Sequence, residues 1–459
     1  MKKNNIPVNH EDRALKGIRG EMLTFKADPF LCPERECYDH YADGLVVVSD
    51  GRILDAGEYA EVAPRYPELK DIDVYTDSVI MPGFIDCHLH YVQAPMIGSY
   101  GDTLLRWLNQ YTFPMESRFF DKDFADEVAR EFMKQLLAQG TTTANVFSTT
   151  FAESVDAIFE ESERYNTRMI TGKVLQDRNL PDSLRDSSAE ESVALSEELL
   201  KKWHGRGRQL YAVVPRFAPT STDLQLKLAG ELYQRYKDSG VYMHTHLDEV
   251  QSEIDWVKQL FPGVPNYTEV YNRFGLVDRL SVFAHCCIVS EEEWELLHKA
   301  DCGVVHCPSS NLFLGDGQFK YWQAKDRRRP TLVGMGTDVG GGTNFSIFRQ
   351  LGEAYKVAML QDHSLDMAHS LYLATLGGAQ TLHLDHQIGR LAPGYEADLT
   401  VVDLHPSEFA QWRMKFSPKL MDKLFVLATL GLNNMVKATY VAGQKVYDRS
   451  REQKWQYAR

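Results

Sequence analysis

Two histidines one residue apart, His88 and His90, follow an apolar run from Val79 to Ile85 that contains the turn-forming Gly83. On a β-strand, residues two apart point to one face, so both imidazoles can converge on a single ion at the strand's end. Two further ligand types close later apolar runs, His246 and Asp338, and His285 holds a similar position. A mononuclear hydrolytic site takes three or four protein donors and keeps one position for water. His88, His90, His246 and Asp338 supply that number. Glu249 stands three residues past His246, close enough to reach a substrate at the metal without ligating it, the place for a proton shuttle. His244, two residues deeper on the same strand face, is read as a packing residue or a support to the ligands.

Such groups need a frame that brings distant strand ends together. Short apolar runs alternate with amphipathic helical stretches, the mark of a parallel sheet flanked by helices. Eight runs fit: 84–88, 142–147, 169–175, 211–216, 241–246, 281–285, 303–307 and 331–338. Eight parallel strands close a (β/α)8 TIM-like barrel, with active sites at the carboxyl ends of its strands. Nearly every run ends in a polar or ionisable residue: His88 and His90, Arg216, His246, His285, His306 and Asp338. Segments such as Asp123–Gln139 and Glu191–Trp203 carry helical periodicity and are expected in the outer ring.

The chain ends read differently. Residues 44–54 pattern as two strands turning at Asp50-Gly51, and 397–404 and 436–447 have strand composition with a turn at Ala442-Gly443. Neither half makes a sheet core alone. The expectation is a small discontinuous β-sandwich domain from 18–81 and 389–453, packed on a barrel spanning 82–388.

Composition narrows the ligand. The chain has 459 residues, room for about three domain-sized units or one large barrel with a small appended domain. With 50 Lys plus Arg against 64 Asp plus Glu, the net charge of −14 disfavours non-specific nucleic-acid or anionic-membrane binding. A small ligand that is not a polyanion is expected. The first residues, Met1 to Pro7, lack the apolar core of a signal peptide, and no later run is long enough to span a bilayer, so a soluble cytoplasmic protein is expected. Seven cysteines without framework spacing read as reduced thiols, with Cys286, Cys287 and Cys307 as buried small hydrophobes.

Motifs along nearly the whole chain from about Arg19 resemble the metal-dependent amidohydrolase superfamily and, within it, the guanine deaminases. They run in order as 82–90 (Pro-Gly-Phe-Ile-Asp-Cys-His-Leu-His), 112–116 (Thr-Phe-Pro-Met-Glu), 215–220 (Pro-Arg-Phe-Ala-Pro-Thr), 244–249 (His-Thr-His-Leu-Asp-Glu), 306–315, 336–343 and 374–379. Gln93, the run 111–114, the Arg216-Phe217 pair and the string 338–343 point to the guanine deaminase branch. The resemblance implies one Zn2+ per chain, with iron as the alternative, on His88, His90, His246 and Asp338. It implies hydrolysis of guanine to xanthine and ammonia by attack of activated water on C2. Glu249 would protonate a ring nitrogen and help the amine leave, Asp338 would accept the water's proton, and His285 would hydrogen-bond the attacking oxygen. Arg216 offers a rigid donor fork for the carbonyl and imidazole edge of the base. Gln93 reads another edge, Phe217 supplies a flat apolar surface, and His246 also faces substrate. A homodimer is implied as well.

Other readings keep the ligands and change the rest: deamination of another aminopurine, a pterin or a triazine, or a non-catalytic scaffold. Lys173, which in two-metal relatives bridges the ions when carbamylated, is expected to be structural beside a single metal. Trp107 is assigned to packing. The ligand motif of the separate cytidine-deaminase fold, Pro-Cys-x-x-Cys, is missing, since Cys307-Pro308 has the reverse order. Asp248 departs from the small hydroxyl residue that commonly precedes the catalytic glutamate, and a second carboxylate near Glu249 would raise at least one pKa if both approached the metal.

Overall fold

The apolar runs and amphipathic stretches become strands and helices in the computed structural model, which describes residues 14–33, 36–101, 103–432 and 434–451. The amino-terminal heptapeptide and the last two residues of the segment 389–453 lie outside the described residues. Four strands open the chain: β1 (Lys16–Phe25), β2 (Tyr38–Ser49), β3 (Arg52–Glu58) and β4 (Ile72–Pro82). The β2–β3 turn falls at Asp50-Gly51, both at positive φ (51° and 77°), the backbone of a two-residue hairpin turn.

The barrel follows as β5 (Phe84–His90), β6 (Thr141–Phe147), β7 (Arg168–Gly172), β8 (Val174–Leu175), β9 (Leu210–Pro215), β10 (Tyr242–Leu247), β11 (Ser281–His285), β12 (Gly303–His306) and β13 (Leu332–Met335). All adjacent pairs run parallel. Every residue of β5 and β6 is buried, as strands covered on both faces require. The helix Lys122–Ala138 shows how the outer ring attaches. Asp121 caps it by accepting from the backbone of Asp123 and Phe124, and Val128, Phe132 and Leu136 fall on one buried stripe. The cap is worth about 1 kcal/mol, whereas each large buried side chain contributes roughly 1.5–3 kcal/mol, so packing holds this helix in place.

Two of the eight expected runs are cut short, for identifiable reasons. The third splits into β7 and β8 because Lys173 swings into a buried polar network, donating to Asp186 (2.6 Å), Ser192 (3.0 Å) and the Val174 carbonyl (3.1 Å). The eighth ends as β13 at Met335, because residues 336–338 peel away to close the barrel against β5. The Asp338 amide donates to the His88 carbonyl (2.9 Å), and Asp86 accepts from the Thr337 amide (3.0 Å) and hydroxyl (2.5 Å).

Three strands complete the chain: β14 (Leu399–Asp403), β15 (Val436–Val441) and β16 (Gln444–Asp448), with the β15–β16 turn at Ala442-Gly443. They join the first four in one path, β16-β15-β14-β4-β1-β2-β3. This sheet curls until Arg52 bridges Glu396 and Ile53 exchanges backbone bonds with the chain leading into β14. Its two halves enclose a common core of Ile18, Met22, Val46, Ile80, Leu399 and Tyr440. Alternation along the strands sends Val79, Met81 and Val402 the other way, into the main core shared with the barrel. Arg208, between Glu396 and Asp398 (2.5 Å each), and Arg168, 2.7 Å from Glu396, tie the barrel to the sheet.

The cysteine reading needs one correction. Cys32 and Cys37 are paired as a disulfide, although their spacing resembles no framework. Their Cα atoms lie 6.7 Å apart, inside bridging reach. Cys286, Cys287 and Cys307 are free and buried, as expected. Among the described residues no helix is long and apolar enough to cross a membrane.

Candidate active site

The carboxyl ends of the barrel strands bring His88, His90, His246 and Asp338 together, although they are separated by up to 250 residues in sequence. Asp338 Oδ1 stands 3.2 Å from His88 Nε2 and 3.5 Å from His90 Nε2, and His90 Nε2 lies 3.1 Å from His246 Nε2. Four ligands held tetrahedrally at zinc–nitrogen and zinc–oxygen lengths would stand about 3.3 Å from each other. His88 Nε2 is fully buried with no hydrogen-bond partner, which is costly unless a cation takes its lone pair. His88, His90 and Asp338 therefore bring donors close enough to share one ion, and His88 with His246 and His285 forms an overlapping second triad.

The surroundings orient these ligands. His246 Nδ1–H donates to the Arg216 carbonyl (2.7 Å), which turns its Nε2 lone pair inward. His88 Nδ1 meets His244 Nε2 at 2.8 Å, so His244 supports a ligand from behind. Burial holds the pKa of His90 and His246 well below the ordinary imidazole value, keeping them in the neutral form a metal binds. Burial opposes the charge on Asp338, but His88, His285 and His90 outweigh it and hold this carboxyl well below its usual range.

Backbone strain gathers at the same mouth. Asp338, His285 and Asp248 all adopt positive φ (47°, 74° and 50°), a region that costs non-glycine residues about 1–3 kcal/mol each. His285 Nε2 points toward Asp338 Oδ2 (4.0 Å), and its Nδ1 accepts from Asn311 Nδ2 (2.9 Å) and lies 3.6 Å from Glu249 Oε1. Burial pushes His285 down to about 3. Glu249 moves the opposite way. Burial, then the nearby Asp316, Glu253 and Asp338, raise it well above the carboxylate range.

Asp248 does not join this group. Its left-handed backbone turns it out of the metal cluster and into a separate cleft beside Glu293. The carboxyl that does face Glu249 is Asp316, raised to about 8 chiefly by burial. Lys173 is likewise absent from the cluster, its ammonium occupied by Asp186. His306 turns away from the ion site and meets the Tyr321 hydroxyl at 2.5 Å.

Beside the cluster lies a pocket lined by both polar and apolar residues. Its polar lining includes Gln93, Arg216, Glu249 and His285, and its apolar lining Leu104, Trp107, Leu108, Phe217 and Leu314. Trp107 does pack in a small core with Phe113 and Leu184, as expected, yet it also borders the pocket. A wider cleft of about 1040 Å³ on the outer surface, beside residues 413–426, contains none of the clustered groups.

The sequence marked Glu116 only as the last residue of the motif 112–116 and gave it no role. This carboxylate is fully buried, accepts from Arg216 Nη1 (2.6 Å) and Gln93 Nε2 (3.0 Å), and so joins the two polar residues assigned to the ligand. It sits where a π-helical turn, Leu108–Thr112, runs into the short helix Phe113–Glu116. No periodicity marks such a segment, and a lone glutamate in a helix ordinarily reads as a solvated one. Asn311 and Asp316 were missed because they come from the connection after β12, which carries no metal-ligand spacing.

Comparison with known proteins agrees with this architecture. The model of the amidohydrolase family matches residues 79–446. The guanine deaminase of Escherichia coli (strain K12) is 46% identical over 411 residues, covering 89% of this chain and 92% of that protein. A solved structure of E. coli guanine deaminase superposes with a TM-score of 0.90 at 43% identity, covering 95% of this chain and all of the other. Guanine deaminase from C. acetobutylicum, solved with guanine bound in its active site, gives a TM-score of 0.84 at 26% identity, with 95% and 100% covered.

Proposed function

The chain belongs to the amidohydrolase family, and from that premise we propose that it hydrolyses guanine to xanthine and ammonia. One observation carries the reading. Arg216 and Gln93, joined through Glu116, border the same pocket as His90, His246 and Asp338. That places a donor fork and an amide beside a hydrolytic centre, as deamination of a planar heterocycle with a carbonyl needs. The guanine deaminases similar to this chain support the same choice of substrate.

The residues proposed to hold the ion are His88, His90, His246 and Asp338. The ion proposed is a single Zn2+, a nitrogen-rich set with one carboxylate also suiting iron. When bound, the ion lowers the pKa of a water toward about 7. Asp338, kept as a carboxylate, would take up a proton from the attacking water. Glu249, kept protonated by burial and by its carboxyl neighbours, donates to a ring nitrogen and makes C2 electrophilic. Glu249, now a carboxylate, takes the proton of the new C2 hydroxyl as the carbonyl forms, and the amine leaves as ammonia with the proton held on Asp338. His285, whose Nδ1 accepts from Asn311, carries its hydrogen on Nε2 and directs it at the incoming oxygen. Arg216 takes the carbonyl edge, Gln93 the neighbouring ring edge, and Phe217 with Trp107 covers the ring faces. His246 contributes to the wall on the metal side.

The test is release of xanthine and ammonia from guanine by the wild type and by Glu249→Gln. The expected result is turnover by the wild type and a loss of about 10²–10⁴-fold in the variant with metal content retained. Appreciable activity in Glu249→Gln sinks the shuttle assignment, and a wild type inert toward guanine sinks the function. A homodimer in the cytoplasm completes the proposal, with sedimentation equilibrium as the check on assembly.

A further inference from the structure

Glu116 takes no part in the chemistry above and does not border the pocket, yet it is fully buried against two residues that do. Its helix grips Arg216 twice: Glu116 holds one edge of the guanidinium at 2.6 Å, and the Phe113 ring centre lies 5.5 Å from its Cζ. The bond to Gln93 decides more. A carboxylate accepts hydrogen bonds and never donates them, so Gln93 must turn its nitrogen toward Glu116 and its oxygen away. On the far side that oxygen lies against Gly340, where a Cβ would come within 2.0 Å of it. The amide is thus fixed in one of its two orientations.

We propose that Glu116 is a positioning and specificity residue that fixes the amide of Gln93, nitrogen to Glu116 and oxygen to the Gly340 side, so that an acceptor is offered to the ligand next to Arg216. The inference rests on the reading of guanine as substrate. Two groups bonded to one carboxylate are neighbours, as the O6 carbonyl and the N1–H are neighbours on guanine's edge. An acceptor next to donors matches that edge. It mismatches 2-aminopurine, which lacks O6 and carries a lone pair on N1.

The experiment measures selectivity by binding, in a Glu249→Gln background that holds ligand without turning it over. Dissociation constants come from the fluorescence of 2-aminopurine and its displacement by guanine. Glu116→Gln keeps the volume but gives position 116 a donor, so Gln93 can meet it with either end. The preference for guanine over 2-aminopurine should fall by about tenfold or more, the range expected when a polar group built for one edge is left free. Exchanging the pair, Gln93→Glu with Glu116→Gln, again fixes an oxygen on the Gly340 side and should recover most of the preference. Equal weakening of both ligands, with no recovery in the exchanged pair, means a merely structural role and overturns the proposal. If Glu116→Gln does not fold, the exchanged pair alone decides: preference kept supports the role, and preference lost refutes it. A parent that binds guanine with a preference unmoved by Glu116→Gln refutes only the role of Glu116, whereas a parent that binds no guanine overturns the function and this inference together.

Discussion

Replacing Gly340 by alanine tests whether the pocket reads its ligand through a fixed Gln93. Gly340 sits at φ 123°, a backbone region open to little but glycine. A Cβ there would meet Gln93 Oε1 at 2.0 Å, Gln93 Cβ at 2.6 Å and Gln93 Cδ at 2.9 Å. All three atoms belong to one side chain, so Gln93 is what must move. A relaxed contact needs about 3.5 Å, which asks the amide oxygen to retreat by about 1.5 Å. A shift of that size breaks the 3.0 Å bond from Gln93 Nε2 to Glu116 and displaces Gln93 where it borders the pocket. Leaving a buried polar group unpaired costs about 1–3 kcal/mol, or roughly 5- to 150-fold in an equilibrium constant. Steady-state assay of Gly340→Ala on guanine should therefore show KM raised by about 10- to 100-fold. Metal content by elemental analysis should match the wild type, because the residues proposed to hold the ion are not among the atoms struck. The backbone strain should also lower Tm by a few degrees. A KM within threefold of wild type with an unchanged Tm would refute the argument, since it would mean that the pocket tolerates a displaced Gln93.

Other substitutions separate the supporting roles. His244→Ala removes the partner of His88 Nδ1, and metal affinity measured by competition with a chelator should fall about 10- to 100-fold; unchanged affinity would reduce His244 to packing. Lys173→Met strands the buried Asp186 and should cost about 3–5 kcal/mol in urea unfolding, with metal stoichiometry unchanged; loss of metal would instead place Lys173 at the centre. Asp316 has a folded pKa raised to about 8, so the native state keeps a proton that the unfolded chain gives up near pH 4. Its contribution to stability is complete below about pH 4 and is lost as pH rises to about 8. Asp316→Asn should therefore shrink the drop in Tm between pH 5 and pH 8, and an identical drop in both proteins would show that Asp316 is not held protonated.

What could be read from the sequence followed from strand geometry. His88, His90, His246 and His285 were legible because a strand fixes side-chain direction by a period of two and a parallel barrel gathers strand ends at one mouth. The expected runs match the observed strands closely for the same reason, and the two terminal hairpins declared themselves at Asp50-Gly51 and Ala442-Gly443. Where the chain leaves regular structure, neighbours in sequence cease to be neighbours in space. Asp248 adjoins Glu249 in sequence but is turned away by a left-handed backbone, while Asp316, 67 residues further on, supplies the carboxyl that raises Glu249. Glu116 was hidden for a related reason, since its role depends on burial within an irregular helical segment.

The strained positions show why this mouth holds together. Asp248, His285 and Asp338 each forgo about 1–3 kcal/mol by taking positive φ at or just past a strand end. In return, His285 and Asp338 aim at the ion site and Asp248 leaves it, so a single backbone device both assembles the cluster and removes a competing carboxylate. Barrel closure sustains the arrangement. The Asp338 amide is held by the His88 carbonyl, and Thr337 by Asp86, so the residue proposed as a ligand just past the last barrel strand is positioned by the first. His88 thus acts through its backbone as well as its ring, setting Asp338 with its carbonyl while its Nε2 faces the same ion site. The spacing of the two histidines showed only the second of these roles, because the first exists only once the barrel has closed.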